Sequence, residues 1–393
     1  MTTPHVADQP IPSLIHSDVE DDLRATLRAV LGERSSWQKV LARLDTPEQP
    51  YDDDLWKTLA QDLGLAGLLI PERFGGAGAT EREAALVLEE LGRFLTPVPY
   101  LASAVLATTA LLSCCPWAES DVAGDLAALA DGSTTATLAV SAHRAPTAAF
   151  PDTVTGVRTR GAGTGGTAML TGTVPHVLAA DRAELLIVPA LLDGAPHLLL
   201  VRSTDPGVSV TRETCLDATR PLGTVVLKDA EARPLTGQNV AVAVLRHAVD
   251  TGVALLASEQ LGAAEAAFEA AVDYLRTRHQ FGRPIGSFQA LRHRAADLWS
   301  ELAAARGTAR YAAACAAEDS ADFPLSAALA AAHVGDIAVR VAEESLHLHG
   351  GIGFTWEHPA HLYVKRAMSS ALMFGSPDQH YAELARLADI PGA

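Results

Sequence analysis

The segment from Val240 to Arg278 constrains this chain most, because it carries many alanines and few helix breakers. A run of that length and composition reads as one long helix. Three more helical stretches follow it. Ser287 is expected to cap the second, in which Leu291, Leu298 and Leu302 repeat at i, i+7 and i+11. Pro324 to about His349 gives the third, and Pro359 starts a fourth that ends near Gly375. Four long helices with short connections predict an antiparallel bundle over residues 237–393.

The chain upstream has two further characters. Residues 1–131 read as helical. Asp18 opens a run with acidic residues in its first turn, as the helix dipole favours. Asp52 to Asp54 open another, with Leu55, Leu59 and Leu63 on one face. Leu69 to Gly78 is a loop, and Thr80 with Glu83 forms a capping-box pair for the next helix. Residues 132–236 change to short apolar or β-branched runs: Thr134–Val140, Leu185–Val188, His197–Val201, Val208–Thr211 and Thr224–Leu227. Turn residues at Gly161–Gly166, Asp193-Gly194 and Asp205–Gly207 separate them. The fold class expected is mostly α with a central β domain: an N-terminal helical domain, a small antiparallel β barrel or sandwich, and a C-terminal four-helix bundle.

Composition excludes several function classes. With 48% hydrophobic and 20% charged residues, a large core is within reach. A net charge of −17 repels phosphate backbones and argues against nucleic acid. It also means that a phosphate-bearing ligand must be met by a few placed arginines and helix N-termini. No apolar stretch is read as a membrane span, and the polar segment Met1–Pro12 lacks the pattern of a signal peptide, so the cytoplasm is expected. Cys114 and Cys115 are adjacent while Cys215 and Cys315 stand alone, so no metal spacing is present and buried thiols are expected.

Two segments could carry chemistry. In Arg278-His-Gln-Phe281-Gly-Arg-Pro-Ile-Gly-Ser-Phe-Gln289, a helix ends at an arginine, the chain turns, and a new helix starts. That arrangement suits a pyrophosphate, and it equally suits a helix–turn–helix whose arginine caps a C-terminus. In Leu346-His-Leu-His-Gly350-Gly351-Ile-Gly-Phe-Thr-Trp-Glu357, three glycines in four residues permit positive φ and close backbone approach to a ligand. The same cluster also suits a plain connection between helices, and His347 suits a core histidine.

Together these segments, with Leu69–Gly78, resemble the acyl-CoA dehydrogenase family over essentially the whole chain. The resemblance implies FAD at a subunit interface. Arg278 and Phe281 would meet the pyrophosphate and adenine part of the cofactor, with Gln289 nearby. His347, Gly350 and Gly351 would come from a neighbouring subunit, with His347 standing where the family usually has Gln. It implies α,β-desaturation of an acyl thioester, in which a carboxylate removes the α-proton while hydride passes to the flavin.

The carboxylate is where this sequence departs. One family position for it falls on Phe374, in Met373-Phe-Gly-Ser376; the other falls on Gly252. Neither residue titrates. Asp378, Asp250 and Glu259 are substitutes to weigh, with Glu357 at a position usually structural. The β zone departs too. The family's flavin-touching segment becomes Val140-Ser-Ala-His-Arg-Ala-Pro146, and its Trp-bearing strand becomes Val174-Pro-His-Val-Leu178.

Three functions remain open on these residues. The chain is the cofactor-completing, non-catalytic partner of a catalytic sister chain; or a self-sufficient flavoenzyme, using another base or oxidase or monooxygenase chemistry; or a flavin-free binding protein. An acyl thioester or related small molecule of lipid metabolism is the expected ligand. A homodimer, a tetramer or a heteromer is the expected assembly.

Overall fold

The computed structural model describes residues 12–160, 166–237 and 239–390. Most of the N-terminal segment and most of the Gly161–Gly166 turn lie outside the described residues.

The first part is helical: α1 (Asp18–Arg34), α2 (Trp37–Arg43), α3 (Asp53–Lys57), α4 (Glu81–Arg93) and α5 (Thr108–Ala130). Ser17 and Glu20 form a capping box on α1, and Thr80 and Glu83 form the expected one on α4. The Asp52 side chain accepts from the Leu55 amide at the start of α3. Leu101–Ala107, which leads into α5, is wound as a wider π-helix. Such wide turns displace side chains from the regular register, and here the turn presents Leu106 to the centre of the molecule.

Seven strands then form one sheet: β1 (Ala136–Leu138), β2 (Val154–Arg160), β3 (Thr167–Leu178), β4 (Leu185–Leu192), β5 (Ala195–Arg202), β6 (Val208–Arg212) and β7 (Leu222–Pro234). The pairings β4–β2–β3–β7–β5 return from β5 to β4, closing a ring, with β6 added on β7 and β1 on β4. A ring of five strands cannot alternate direction throughout, so one pairing has to be parallel. That pairing is β2–β4, and β1 also joins β4 in parallel. The barrel is therefore mixed where an antiparallel one was expected. The run read as Thr134–Val140 forms a strand over only Ala136–Leu138.

The last part holds α6 (Ala241–Thr277), α7 (Gln289–Ala317), α8 (Phe323–Leu348), α9 (Ala360–Ala371) and α10 (Pro377–Leu387), with a two-strand ribbon, β8 (His279–Gln280) and β9 (Arg283–Pro284), between α6 and α7. Ser287 does not cap α7: the helix starts at Gln289, and the Ser287 hydroxyl is buried without a partner among the described residues. The fourth helix stops at Ala371 rather than near Gly375, because Phe374 and Gly375 adopt positive φ. Ser376 then caps α10, with Pro377 in its first turn. Contrary to the sequence reading, α6 and α8 are long and apolar enough to cross a bilayer by length and composition. However, 72% and 61% of their apolar windows are buried inside the fold, which makes them core helices.

Alanine and glycine set how tightly these layers pack. A Cβ on Gly92 of α4 would meet the Glu259 carbonyl oxygen at 2.1 Å, and a Cβ on Gly262 of α6 would meet the Glu89 carbonyl oxygen at 1.8 Å. The two helices therefore cross backbone against backbone. The barrel is fixed to the bundle by buried charge. Glu259 on α6 accepts from Arg220 and from Arg366 of α9; Arg366 also donates to Asp217, and Arg220 to Ser370. Burial alone would raise the Asp217 pKa, but Arg366 and Arg220 outweigh it and hold the carboxyl below its usual value. Cys114, Cys115 and Cys315 are buried as expected, while Cys215 is half-buried; burial pushes the Cys114 thiol up to about 12.

Candidate active site

The Arg278 turn is an exposed tip. α6 ends when Arg278 takes an extended conformation, and β8 and β9 pair beyond it. Phe281 and Gly282 supply the positive φ that closes the ribbon, and the Phe281 ring is 90% exposed. The Arg283 guanidinium lies 4.1 Å over the Phe288 ring. Arg278 itself is exposed, and its guanidinium has no hydrogen-bond or ion-pair partner among the described residues. Gln289 is exposed at the first position of α7.

The Gly350-Gly351 turn leaves the bundle at the same end. Tyr274, one helical turn before Arg278, packs its ring 5.1 Å from that of His349. Gly350 has φ +61°, and nothing lies within 4 Å of where its Cβ, or that of Gly351, would be. His347 is half-exposed beside Phe354, and Phe354 and Trp356 are also exposed. The structure thus gathers Arg278, Phe281, His347, Gly350 and Gly351 at one exposed, aromatic-rich end of the bundle.

The two base positions lie deep inside. Gly252 is buried on α6, and a Cβ there would meet the Leu106 side chain at 2.3 Å. Leu106 therefore occupies the space that a longer side chain would need. Phe374 is 1% exposed, with φ +60°, and its N–H donates to the Ala142 carbonyl at 2.6 Å. The Pro146 ring lies 2.6 Å from where a Gly375 Cβ would be. His380 packs behind the same turn. Its two ring nitrogens have no hydrogen-bond partner among the described residues, and burial lowers its pKa to about 4.

None of the substitute carboxylates faces this spot freely. Asp250 is held by Arg246 at 3.3 Å, and burial raises its pKa. Glu259 is tied up between Arg220 and Arg366. Asp378 is exposed in the first turn of α10, and Glu357 is exposed beyond the glycine turn.

One cluster has no counterpart in the sequence reading. His176 has φ +57°, and its backbone N–H and ring Nδ1 both meet Glu213, the latter at 2.5 Å. A carboxylate only accepts, so Nδ1 carries the hydrogen. Thr224 donates to the same Glu213, and the His143 ring lies 4.4 Å from that of His176. Burial alone would raise the Glu213 pKa, but the bonds from Thr224 and His176 hold it below its usual value. The signal was present as the odd histidine in Val174–Leu178, but Glu213 comes from a strand end 37 residues away. No group of three residues suited to a metal occurs among the described residues.

Comparison with known proteins decides the family. The sequence matches the family description "Acyl-CoA dehydrogenase, N-terminal domain" over residues 17–115 and "Acyl-CoA dehydrogenase, C-terminal domain" over residues 242–388. The chain belongs to the acyl-CoA dehydrogenase family. It is 36% identical to the acyl-CoA dehydrogenase IpdE2 of Mycobacterium tuberculosis over 90% of this chain and 92% of that one. Among solved structures it resembles the ChsE4-ChsE5 complex from Mycobacterium tuberculosis, at TM-score 0.82 and 30% identity, covering 97% of this chain and 100% of that one. It also resembles a variant of the Tcur3481-Tcur3483 steroid ACAD, at TM-score 0.81 and 30% identity, covering 95% and 98%.

FAD, the cofactor this family implies, can be tested against the residues present. The phosphate side fits: Arg278 is an unpaired cation beside exposed ring and glycine atoms. The ring side does not. At the position where the resemblance places the base, Phe374 is buried and its N–H is bonded to the Ala142 carbonyl, so an apolar ring fills that place.

Proposed function

We propose that this acyl-CoA dehydrogenase family member is the non-catalytic, cofactor-completing subunit of a heteromeric acyl-CoA dehydrogenase. The observation that carries this reading is the buried Phe374, clasped by its N–H to the Ala142 carbonyl, an apolar ring where the family keeps its base. The exposed turns at Arg278–Gln289 and His347–Gly351 would then serve an FAD whose ring is housed by the sister chain. The assembly would act on an acyl-CoA thioester in the cytoplasm. Within the chain, residues 1–131, 132–236 and 237–393 would act as three domains. The likeness over nearly the full length to ChsE4-ChsE5, itself a complex, supports such a partner.

The test is to purify the chain alone and together with a base-bearing sister chain, and to assay short-, medium- and sterol-side-chain acyl-CoAs with an electron acceptor. The expected result is a colourless, inactive single chain and a yellow, active pair. A general base contributes on the order of 10²–10⁴-fold, so the single chain should fall at least that far below the pair. Turnover by the single chain would overturn the reading. Loss of such turnover in Asp250→Asn, Glu259→Gln or Asp378→Asn would then identify the substitute base. A pair that stays colourless and inactive would point to a flavin-free binding protein.

A further inference from the structure

The barrel and the N-terminal helices meet at a seam that the flavin site does not use. There a cavity of about 280 Å³ opens between α2, the segment after it, and the chain that leaves β6. Pro47, Pro50, Pro97 and Pro221 form much of its wall, with Val40 and Leu44 beside them. Proline rings hold a fixed backbone, so the cavity is preformed rather than opened by side-chain rearrangement. A second void, of about 30 Å³, lies behind Thr219 and Pro221, where the Tyr100 hydroxyl has no partner among the described residues. It has room for about two waters and not for a larger ligand. The outer cavity is about twice the roughly 150 Å³ of a core cavity that accommodates benzene.

The charges around the outer cavity decide what it takes. Arg43 is bound to Asp52 and to the Tyr51 carbonyl. Arg212 is bound to Asp181 and to the Pro47 carbonyl. Glu213 is bound to His176 and Thr224. Each charged group on the wall is therefore already hydrogen-bonded to a protein partner. A charged guest would lose its hydration without gaining a counter-ion, whereas an apolar guest loses nothing polar. We propose that this seam is a second small-molecule site, specific for a neutral alicyclic or alkyl compound of up to about two rings. The proposal is independent of whether the chain is catalytic.

Cys215 offers a direct readout, because it lines this cavity and is half-buried while Cys114, Cys115 and Cys315 are buried. The experiment measures alkylation of Cys215 by iodoacetamide on the full chain, with peptide mapping, in the presence of camphor (a neutral bicyclic ketone) or of decanoate. At ten times its dissociation constant, camphor should slow labelling about tenfold, as simple occupancy requires. Decanoate should leave the rate unchanged. Ala218→Phe, which fills the cavity from an exposed wall position, should remove the protection by camphor. Thr214→Trp does the same from another exposed wall residue, should the first variant fold poorly. No protection by camphor up to its solubility limit would overturn the site. Undiminished protection in both filled variants would place the ligand elsewhere, and equal protection by decanoate would overturn the assigned ligand class.

Discussion

The Arg278 tip and the Phe374 turn are both places where a helix stops and φ turns positive, yet they are built in opposite ways. At the tip, Phe281 stands in solvent and the Arg278 guanidinium has no partner among the described residues. At the turn, Phe374 is enclosed, its N–H is bonded to Ala142, and Pro146 and His380 pack against the next residue. The first region keeps its contacts for something outside the chain. The second has satisfied them within it. In the proposed function the outward region would meet a cofactor shared with a sister chain, while the inward one holds the chain's own fold together.

The contrast can be broken from the inside first. Phe374→Ala should destabilise the chain by about 3–5 kcal/mol, as buried Phe→Ala changes do, read as a lower denaturant midpoint at unchanged slope. A loss below 1 kcal/mol would mean that the turn is loosely seated and able to open. Glu259→Gln should cost a similar 3–5 kcal/mol, because removing one partner leaves Arg220 and Arg366 buried without their counter-charge. Near-normal stability in that variant would free Glu259 to be weighed again as a base.

Acid supplies the next test. His380 has a folded-state pKa of about 4, below the 6.5 of an unfolded histidine. The folded state therefore prefers the neutral ring. Its contribution to stability is fully present above pH 6.5 and is lost as the pH falls from 6.5 to about 4, for a total on the order of 3 kcal/mol. The stability of wild type relative to His380→Leu should fall over that window as the pH drops, and a parallel pH dependence would show that the ring is solvated. The smallest change in stability is expected at the tip. Arg278→Ala should leave the melting of the isolated chain within about 0.5 kcal/mol. In the assembled pair it should weaken flavin retention by 1.5–3 kcal/mol, or about one to two decades. Unchanged retention would move the pyrophosphate away from this turn.

Much of the architecture was legible because it rests on periodicity. The long helix from Val240, the capping box at Thr80 and the return to helices after the strands all follow local rules. What was not legible depends on partners distant in sequence. The parallel pairing of β2 with β4 is a consequence of closing a five-membered ring, which no single strand announces. The early end of α9 follows from the clasp to Ala142, more than 200 residues upstream. At the candidate site, the absence of a base at Phe374 and Gly252 could be read from the sequence. That Leu106 fills the adjoining space could not, because it depends on a wide helical turn whose sequence looks like ordinary apolar helix. Asp250 and Glu259 likewise reveal their arginine partners only in three dimensions.

The reciprocal crossing at Gly92 and Gly262 has a mechanical meaning. Where the backbones of two helices touch at two points, sliding either helix along the other would drive carbonyl oxygens into the opposing chain. The N-terminal helices and the bundle are thus welded into one rigid frame at α4 and α6. The barrel joins that frame through side chains instead of touching helix backbones. Arg220 and Asp217, which reach from the barrel to Glu259 and Arg366, act as the latch between the two.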